Sequence, residues 1–388
     1  MAYSREESIK DLRRAFRNNN LGIYLGAGVS IENNLPTWEK LVLAMYFNKI
    51  SEQQLNGWRP FPNYLYAIAE WYLKHSSEPL EITTRKLQKF YHQNSSNDGD
   101  FLDDLYQVLY GSYIVEGGQP NYKLDSRFLR NNNKTLDAVA KLCESKARGV
   151  KSVITYNYDN LLEMAFNENI YQSVYSADPI DAKKLPIYHV HGFVPFDKNS
   201  VGSLGDEIIF TEDQYHKVAR NPYHWSTLVQ LQSMTNTVGL MIGLSIADRN
   251  MRRLLDAVQN TPINSVTYAL LKIPDKIPPE INVLDEIHEK AKNYLDRFLA
   301  SGIKSEQYGS ESIFFNRPGI KSAGPNLKSS QAGSKGPRYR HEIAGIIEEV
   351  KKLEQEQQNF VLEQLGIRPI WFENFSDISE ILKKIISN

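Results

Sequence analysis

The chain has 388 residues, 41% hydrophobic and 23% charged, the balance of an ordinary globular protein rather than a disordered or fibrous one. A formal net charge of -1 gives no global basic field, so direct contact with nucleic acid is not expected. Cys143 is the one cysteine, which excludes a disulfide framework within the chain and any cysteine-based zinc centre.

The N-terminus has no basic start followed by an apolar run. Ser4 and Glu7 stand instead at capping-box spacing before a helix over 4–17, with Ile9, Leu12 and Phe16 on one face. No apolar stretch approaches the roughly 20 residues of a membrane span, so no membrane segment and a cytoplasmic location are expected. Leu21 to Leu25 read as a strand entering the glycine turn Gly26-Ala27-Gly28-Val29-Ser30. From Thr37 to Arg148 the pattern is mainly helical. Trp38, Leu41, Val42 and Met45 mark one helix, Tyr64, Ile68, Trp71 and Tyr72 a second, and Leu136, Val139, Ala140 and Cys143 a third. Asn131-Asn132-Asn133 reads as loop.

Beta character returns at Ser152 to Thr155, and a helix follows through Leu161, Leu162 and Ala165. Ile187 to Phe193 is the next strand, holding His189 and His191; alternation would put both imidazoles on one face. The apolar run Thr237 to Leu244 suits a strand buried on both faces. A helix through Met251, Leu254, Leu255 and Val258 and a strand from Ser265 to Leu271 come next. The stretch 316–340 carries six basic residues and no acid among Gly, Pro and Ser, and is read as a long mobile loop. A charged helix from Glu342 to Leu365, a strand from Ile367 to Phe372 and a helix from Asp377 to Ile386 close the chain.

This alternation predicts an α/β fold: a Rossmann-like parallel sheet with helices on both faces and a large helical insertion. The core is assigned to 1–36 and 149–274, and the insertion to 37–148. A helix and mobile loop take 275–341, and residues 342–388 complete the sheet.

Four strand ends carry candidate chemistry. Gly26, Ala27, Gly28 and Ser30 form a turn whose glycines would let backbone approach a pyrophosphate, with amides aimed at its oxygens. Ile31 stands where the common fingerprint has its third glycine, so a plain strand-to-helix turn is the better account of this motif taken alone. Asn157 and Asp159 follow the second strand, where either could instead cap the next helix. His191-Gly192 ends a third strand, and a lone buried histidine is more often a hydrogen-bonded core residue than a catalyst. Gly243-Leu244-Ser245 follows the apolar strand, with Asp248 a candidate cap for the helix after it.

The order of these motifs, each ending a strand across residues 21 to 248, resembles the sirtuin family. That resemblance implies a pocket for NAD as substrate, lined by Gly26, Ala27, Gly28, Ser30, Asp159, Ser245 and Asp248, with Asn157 and His191 catalytic. Two departures narrow it. The cysteines that hold zinc in protein-deacylating sirtuins are missing, and Pro36-Thr37-Trp38 replaces their Pro-Asp-Phe-Arg segment. With the helical insertion, the chain is similar to bacterial antiphage sirtuin-like proteins that destroy NAD, and within them to the partner of a HerA-type ATPase.

The implied reaction is hydrolysis of NAD to nicotinamide and ADP-ribose, with no zinc, in a homo-oligomer acting beside a HerA-like ATPase. Asp159 would supply electrostatics on the nicotinamide side, Asn157 would hold water or ribose hydroxyls, and His191 would be the general base. Competing readings are a protein deacylase or ADP-ribosyltransferase using the same pocket, and a non-catalytic nucleotide-sensing or DNA-binding scaffold supported by the basic stretch 316–340.

Overall fold

The computed structural model describes residues 4–54, 62–94, 99–113, 124–145, 149–167, 169–197, 208–246, 248–261, 266–273, 345, 349, 353 and 355–387. The basic stretch 316–340 lies outside them.

Among the described residues, one sheet holds β1 (Leu21–Leu25), β2 (Val150–Thr155), β3 (Tyr171–Val174), β4 (Leu185–His189), β5 (Val238–Ile242), β6 (Thr267–Lys272) and β7 (Ile367–Phe372). Their order is β3-β4-β2-β1-β5-β6-β7, and every neighbouring pair is parallel. From β1 the chain lays β2 beside it, then the edge strand β3, fills in β4 between β3 and β2, and crosses back to lay β5 on the other flank of β1. Open parallel sheets bind ligands at such a switch point, outside the carboxyl ends of the strands.

Register sets that edge. Leu25 pairs with both Thr155 and Ile242, and Thr155 pairs with His189, so four strands finish level with one another. Each of the four candidate motifs therefore begins just beyond the sheet.

Burial on both faces explains the continuous apolar strands: all five residues of β1 are buried. Ile23 and Leu25 face one cluster and Tyr24 the other, as period-two alternation requires. The first cluster takes α1 (Arg5–Arg17), α7 (Lys134–Glu144), α8 (Leu161–Ala165) and α12 (Phe375–Ile386). The second takes α11 (Arg249–Gln259), with Met234 of α10 (Trp225–Asn236). The Ser4–Glu7 capping box does start α1, and its buried side is Ile9, Leu12 and Phe16.

The helical stretch between β1 and β2 contains α2 (Trp38–Gln54), α3 (Pro62–His75), α4 (Leu80–Asn94), α5 (Gly99–Leu109) and α6 (Ser126–Asn132) before α7. Leu41, Val42 and Met45 of α2 and Leu105 of α5 belong to the same apolar cluster as Ile23 of β1. Among the described residues, the buried apolar side chains of this stretch extend the sheet's core. Tyr64, Ile68 and Trp71 mark α3 correctly as a helix but lie exposed, and its buried residues are Leu65 and Ala69.

The Asn131–Asn133 run is a correction. Asn131 and Asn132 finish α6, and Asn133 caps α7 by accepting from the Leu136 amide at 2.7 Å. Asparagine suits that position because its short side chain satisfies a free helix amide.

The chain divides into two compact units, 1–273 with 359–388, and 274–358. The return to the sheet thus falls near residue 359 rather than 342, and Leu362 is a buried residue there. In the second unit, residues 355–358 are helical. No helix among the described residues is long and apolar enough to cross a membrane.

Candidate active site at the carboxyl edge of the sheet

Two backbone turns meet face to face at the ends of β1 and β5. The Gly26 amide donates to Ile242 O at 3.0 Å, and the Gly28 amide to Gly243 O at 3.0 Å. A Cβ on Gly26 would lie 2.5 Å from Gly243 O, and one on Gly28 2.7 Å from Gly243 Cα. Gly243 itself sits at φ +68°, where its own Cβ would come 2.7 Å from the Val29 amide nitrogen. These glycines are needed for backbone-to-backbone packing. The Val29 and Ser30 amides donate within the turn to Gly26 O and Ala27 O, at 3.1 and 2.9 Å. The expectation that the turn's amides aim outward at phosphate oxygens is thus corrected at Gly26, Gly28, Val29 and Ser30. A 3-10 turn over Ala27–Val29 closes them on carbonyls.

Three predicted residues converge beside this turn. Ser30 Oγ donates to Asp159 Oδ2 at 3.0 Å. Asn157 Nδ2 donates to Gly26 O at 3.1 Å and reaches Ser30 Oγ at 3.3 Å. Asp159 Oδ1 also accepts from the Leu161 amide at 3.1 Å, so the capping role and the site role coexist in one carboxylate. Burial pushes the Asp159 pKa up to about 6, with the Leu161 amide and Ser30 hydroxyl opposing the rise. Thr155, Glu163, Leu136 and Leu162 join the three around a cavity with room for about one water molecule.

The two histidines part company. β4 ends at His189, and Gly192, at φ 109°, turns the chain back, its amide donating to His189 O at 3.2 Å. The alternation that would have put both rings on one face stops before His191. His189 is fully buried on the α8 side, its Nε2 2.7 Å from Glu163 Oε1, and Ser173 Oγ donates to the same oxygen at 3.0 Å. Its Nδ1 lies 3.4 Å from Asn157 O, under the loop that carries that side chain.

His191 turns instead toward the second cluster. Tyr156 meets its ring edge-on at 5.0 Å, and Tyr215, on α9 (Glu212–Arg220), does so at 5.2 Å. Its Nδ1 is 3.4 Å from Tyr215 Oη, and its Nε2 is 3.8 Å from Asp248 Oδ2. Burial holds the imidazole pKa below its ordinary value, and the Asp248 charge opposes that shift. The ring is consequently neutral near pH 7, as a base must be before it acts. Asp248 also caps α11, its Oδ1 accepting from the Met251 amide at 2.7 Å. Ser245 is exposed on the turn between Gly243 and Asp248.

Sequence reasoning missed Tyr215, Glu163 and Asn133. Asn133 Nδ2 donates to Val29 O at 2.7 Å and Asn33 Oδ1 at 2.6 Å, and the Lys134 amide donates to Glu32 Oε2 at 2.9 Å. The helical stretch therefore grips the glycine turn from behind. No local pattern announces such a contact across about 100 residues.

These features define a class: a doubly wound parallel sheet with polar residues gathered at the level ends of its central strands. Comparison with known families narrows it. The model of the SIR2-like domain matches residues 151–294, a span that includes Asn157, Asp159, His191, Ser245 and Asp248. Over that span the chain is similar to the SIR2-like domain. Defense-associated sirtuin 2 of Bacillus subtilis is 28% identical over 307 residues, covering 78% of this chain and 25% of that protein. The chain thus spans about a quarter of the length of the curated relative it matches.

Proposed function

We propose that this protein is an NAD glycohydrolase of antiphage defence, cleaving NAD with water to nicotinamide, ADP-ribose and a proton. The reading is carried by one observation: level strand ends gather Ser30, Asn157 and Asp159 at the same sheet edge that holds a neutral His191. Its defence context comes from the printed name of the Bacillus subtilis relative.

The leaving group arrives with its positive charge already in place, so no strong nucleophile is required. The glycosidic carbon–nitrogen bond breaks, its electron pair stays on the nicotinamide nitrogen, and the sugar carbon becomes oxocarbenium-like. Water then bonds to that carbon and gives its proton to His191. Such a base contributes about 10²–10⁴-fold. Asn157, held by Gly26 O and Ser30, orients the water or a ribose hydroxyl. Asp159 is fixed by Ser30 and the start of α8, and its charge favours the cationic sugar. Gly26, Ala27, Gly28, Ser245 and Asp248 are assigned to the rim against which the dinucleotide lies.

The resemblance read from the sequence extends this proposal to a HerA-type ATPase partner and to assembly with copies of the same chain. Mass measurement of the purified chain, alone and mixed with such an ATPase, tests both.

The activity test is direct. Purified protein given NAD and no acceptor should release nicotinamide and free ADP-ribose in equal amounts. Cleavage only when a protein or nucleic-acid acceptor is added would mean a transferase. Intact NAD under all conditions would refute the reading.

A further inference from the structure

We propose that Tyr215, His191 and Asp248 form a hydroxyl–imidazole–carboxylate relay in which His191 works from Nδ1. Asp248 fixes the tautomer through Nε2, and Tyr215 passes its hydroxyl hydrogen to Nδ1 as its Oη takes the proton of the attacking water, so the phenol is restored and one proton arrives on the imidazole. The purpose of the relay rests on the NAD-cleaving reading; its geometry does not.

Both ring nitrogens of His191 face a partner of definite chemistry. A carboxylate can only accept a proton, so Asp248 Oδ2, 3.8 Å from Nε2, favours the tautomer with its hydrogen on Nε2. The lone pair then belongs to Nδ1, which faces Tyr215 Oη at 3.4 Å. Burial raises the Tyr215 pKa well above its ordinary value, so the phenol keeps its proton and can donate it. The other ring beside His191 cannot play this part, because the Tyr156 hydroxyl donates to Gln230 Oε1 at 2.8 Å. Edge-on packing by two tyrosines, at 77° and 80°, limits rotation of the imidazole. The 3.4 and 3.8 Å separations are loose, the usual condition of a catalytic network before substrate tightens it.

The backbone around the relay is built to hold it. Asp248 is anchored by its other oxygen at the start of α11. The helix α9 that carries Tyr215 begins at a Thr211–Gln214 capping box, and Arg85 of α4 pairs with its Glu212 at 2.7 Å. The Ile209 amide donates to His191 O at 2.8 Å, tying the segment before α9 to the histidine itself.

Two conservative variants test this by moving one quantity in opposite directions. The groups facing His191 are Tyr156 from the β2 end, Tyr215 from α9 and Asp248 from the cap of α11. Tyr215→Phe keeps the ring but removes a donor to the neutral imidazole, which makes the imidazole more basic. The acid limb of the kcat–pH profile should move to higher pH, with kcat down about tenfold, less than the 10²–10⁴ assigned to a whole base, and KM little changed. Asp248→Asn keeps the helix cap but removes the charge that favours imidazolium, so the limb should move to lower pH. Nitrogen-15 NMR of histidine-labelled full-length protein gives a second readout, with His191→Asn to assign the signal. Wild type should show the hydrogen on Nε2, and Asp248→Asn should lose that preference. Equal limbs in both variants, shifts of the same sign, or a wild-type hydrogen on Nδ1 would overturn the relay. A wild type that leaves NAD intact while showing the stated tautomer would refute the enzymatic reading and leave the relay standing.

Discussion

Two polar clusters sit at one sheet edge and are built differently. Ser30, Asn157 and Asp159, beyond β1 and β2, are joined by hydrogen bonds of 3.0 to 3.3 Å around a water-sized cavity. His191, Tyr215 and Asp248, beyond β4 and β5, approach only to 3.4 and 3.8 Å. The first cluster is held in fixed positions by the protein's own hydrogen bonds. The second keeps donor and acceptor capacity in reserve, as a site awaiting a ligand does.

The comparison can be broken most sharply where the tight side is deepest. Glu163 is buried and is the acidic partner of the fully buried His189. Glu163→Ala would leave the buried Nε2 of that imidazole without its partner, and leaving a buried polar group unsatisfied costs roughly 1–3 kcal/mol. Chemical denaturation should show the loss directly. A change under about 1 kcal/mol, the range of exposed ion pairs, would mean the pair does not brace the site.

Gly243→Ala comes next. A left-handed φ and a 2.7 Å approach to Val29 N leave no space for a methyl group. The expected destabilisation is about 1–3 kcal/mol, the range for strained backbone. An unchanged melting temperature would show that the two glycine turns are not packed as described.

Asp159→Asn should have an effect that depends on pH. The unfolded carboxyl ionises near 3.8, whereas the folded one holds its proton to about 6. Between those values the folded state binds more protons, so this group makes stability fall as pH rises, and the penalty is constant above about 6. The amide carries no such penalty. The variant should therefore gain melting temperature relative to wild type between pH 4 and pH 7. A relative loss over that interval would contradict the assignment of burial as the main cause.

The sheet was legible in the sequence because strands buried on both faces are written as unbroken apolar runs, as in β1 and β5. β3, short and only partly buried, carries no such run and was missed. Strand ends were legible to within a few residues, but that margin mattered at His191. Reading β4 four residues too long placed both imidazoles on one face, and Gly192 was the cue that the strand had already turned. Asn157, Asp159 and Ser30 could be named because each follows a strand. Tyr215 and Asn133 could not, since they reach the site from helices whose docking is decided by packing rather than by local pattern. The face of α3 shows the same limit: Tyr64, Ile68 and Trp71 reveal helical period without revealing which side is covered.

The most direct test of the central claim is steady-state NAD cleavage by His191→Ala beside wild type, with melting temperatures measured on the same samples. The account predicts a loss of turnover of about 10²–10⁴-fold with the fold retained. Near-full turnover by the variant would contradict it.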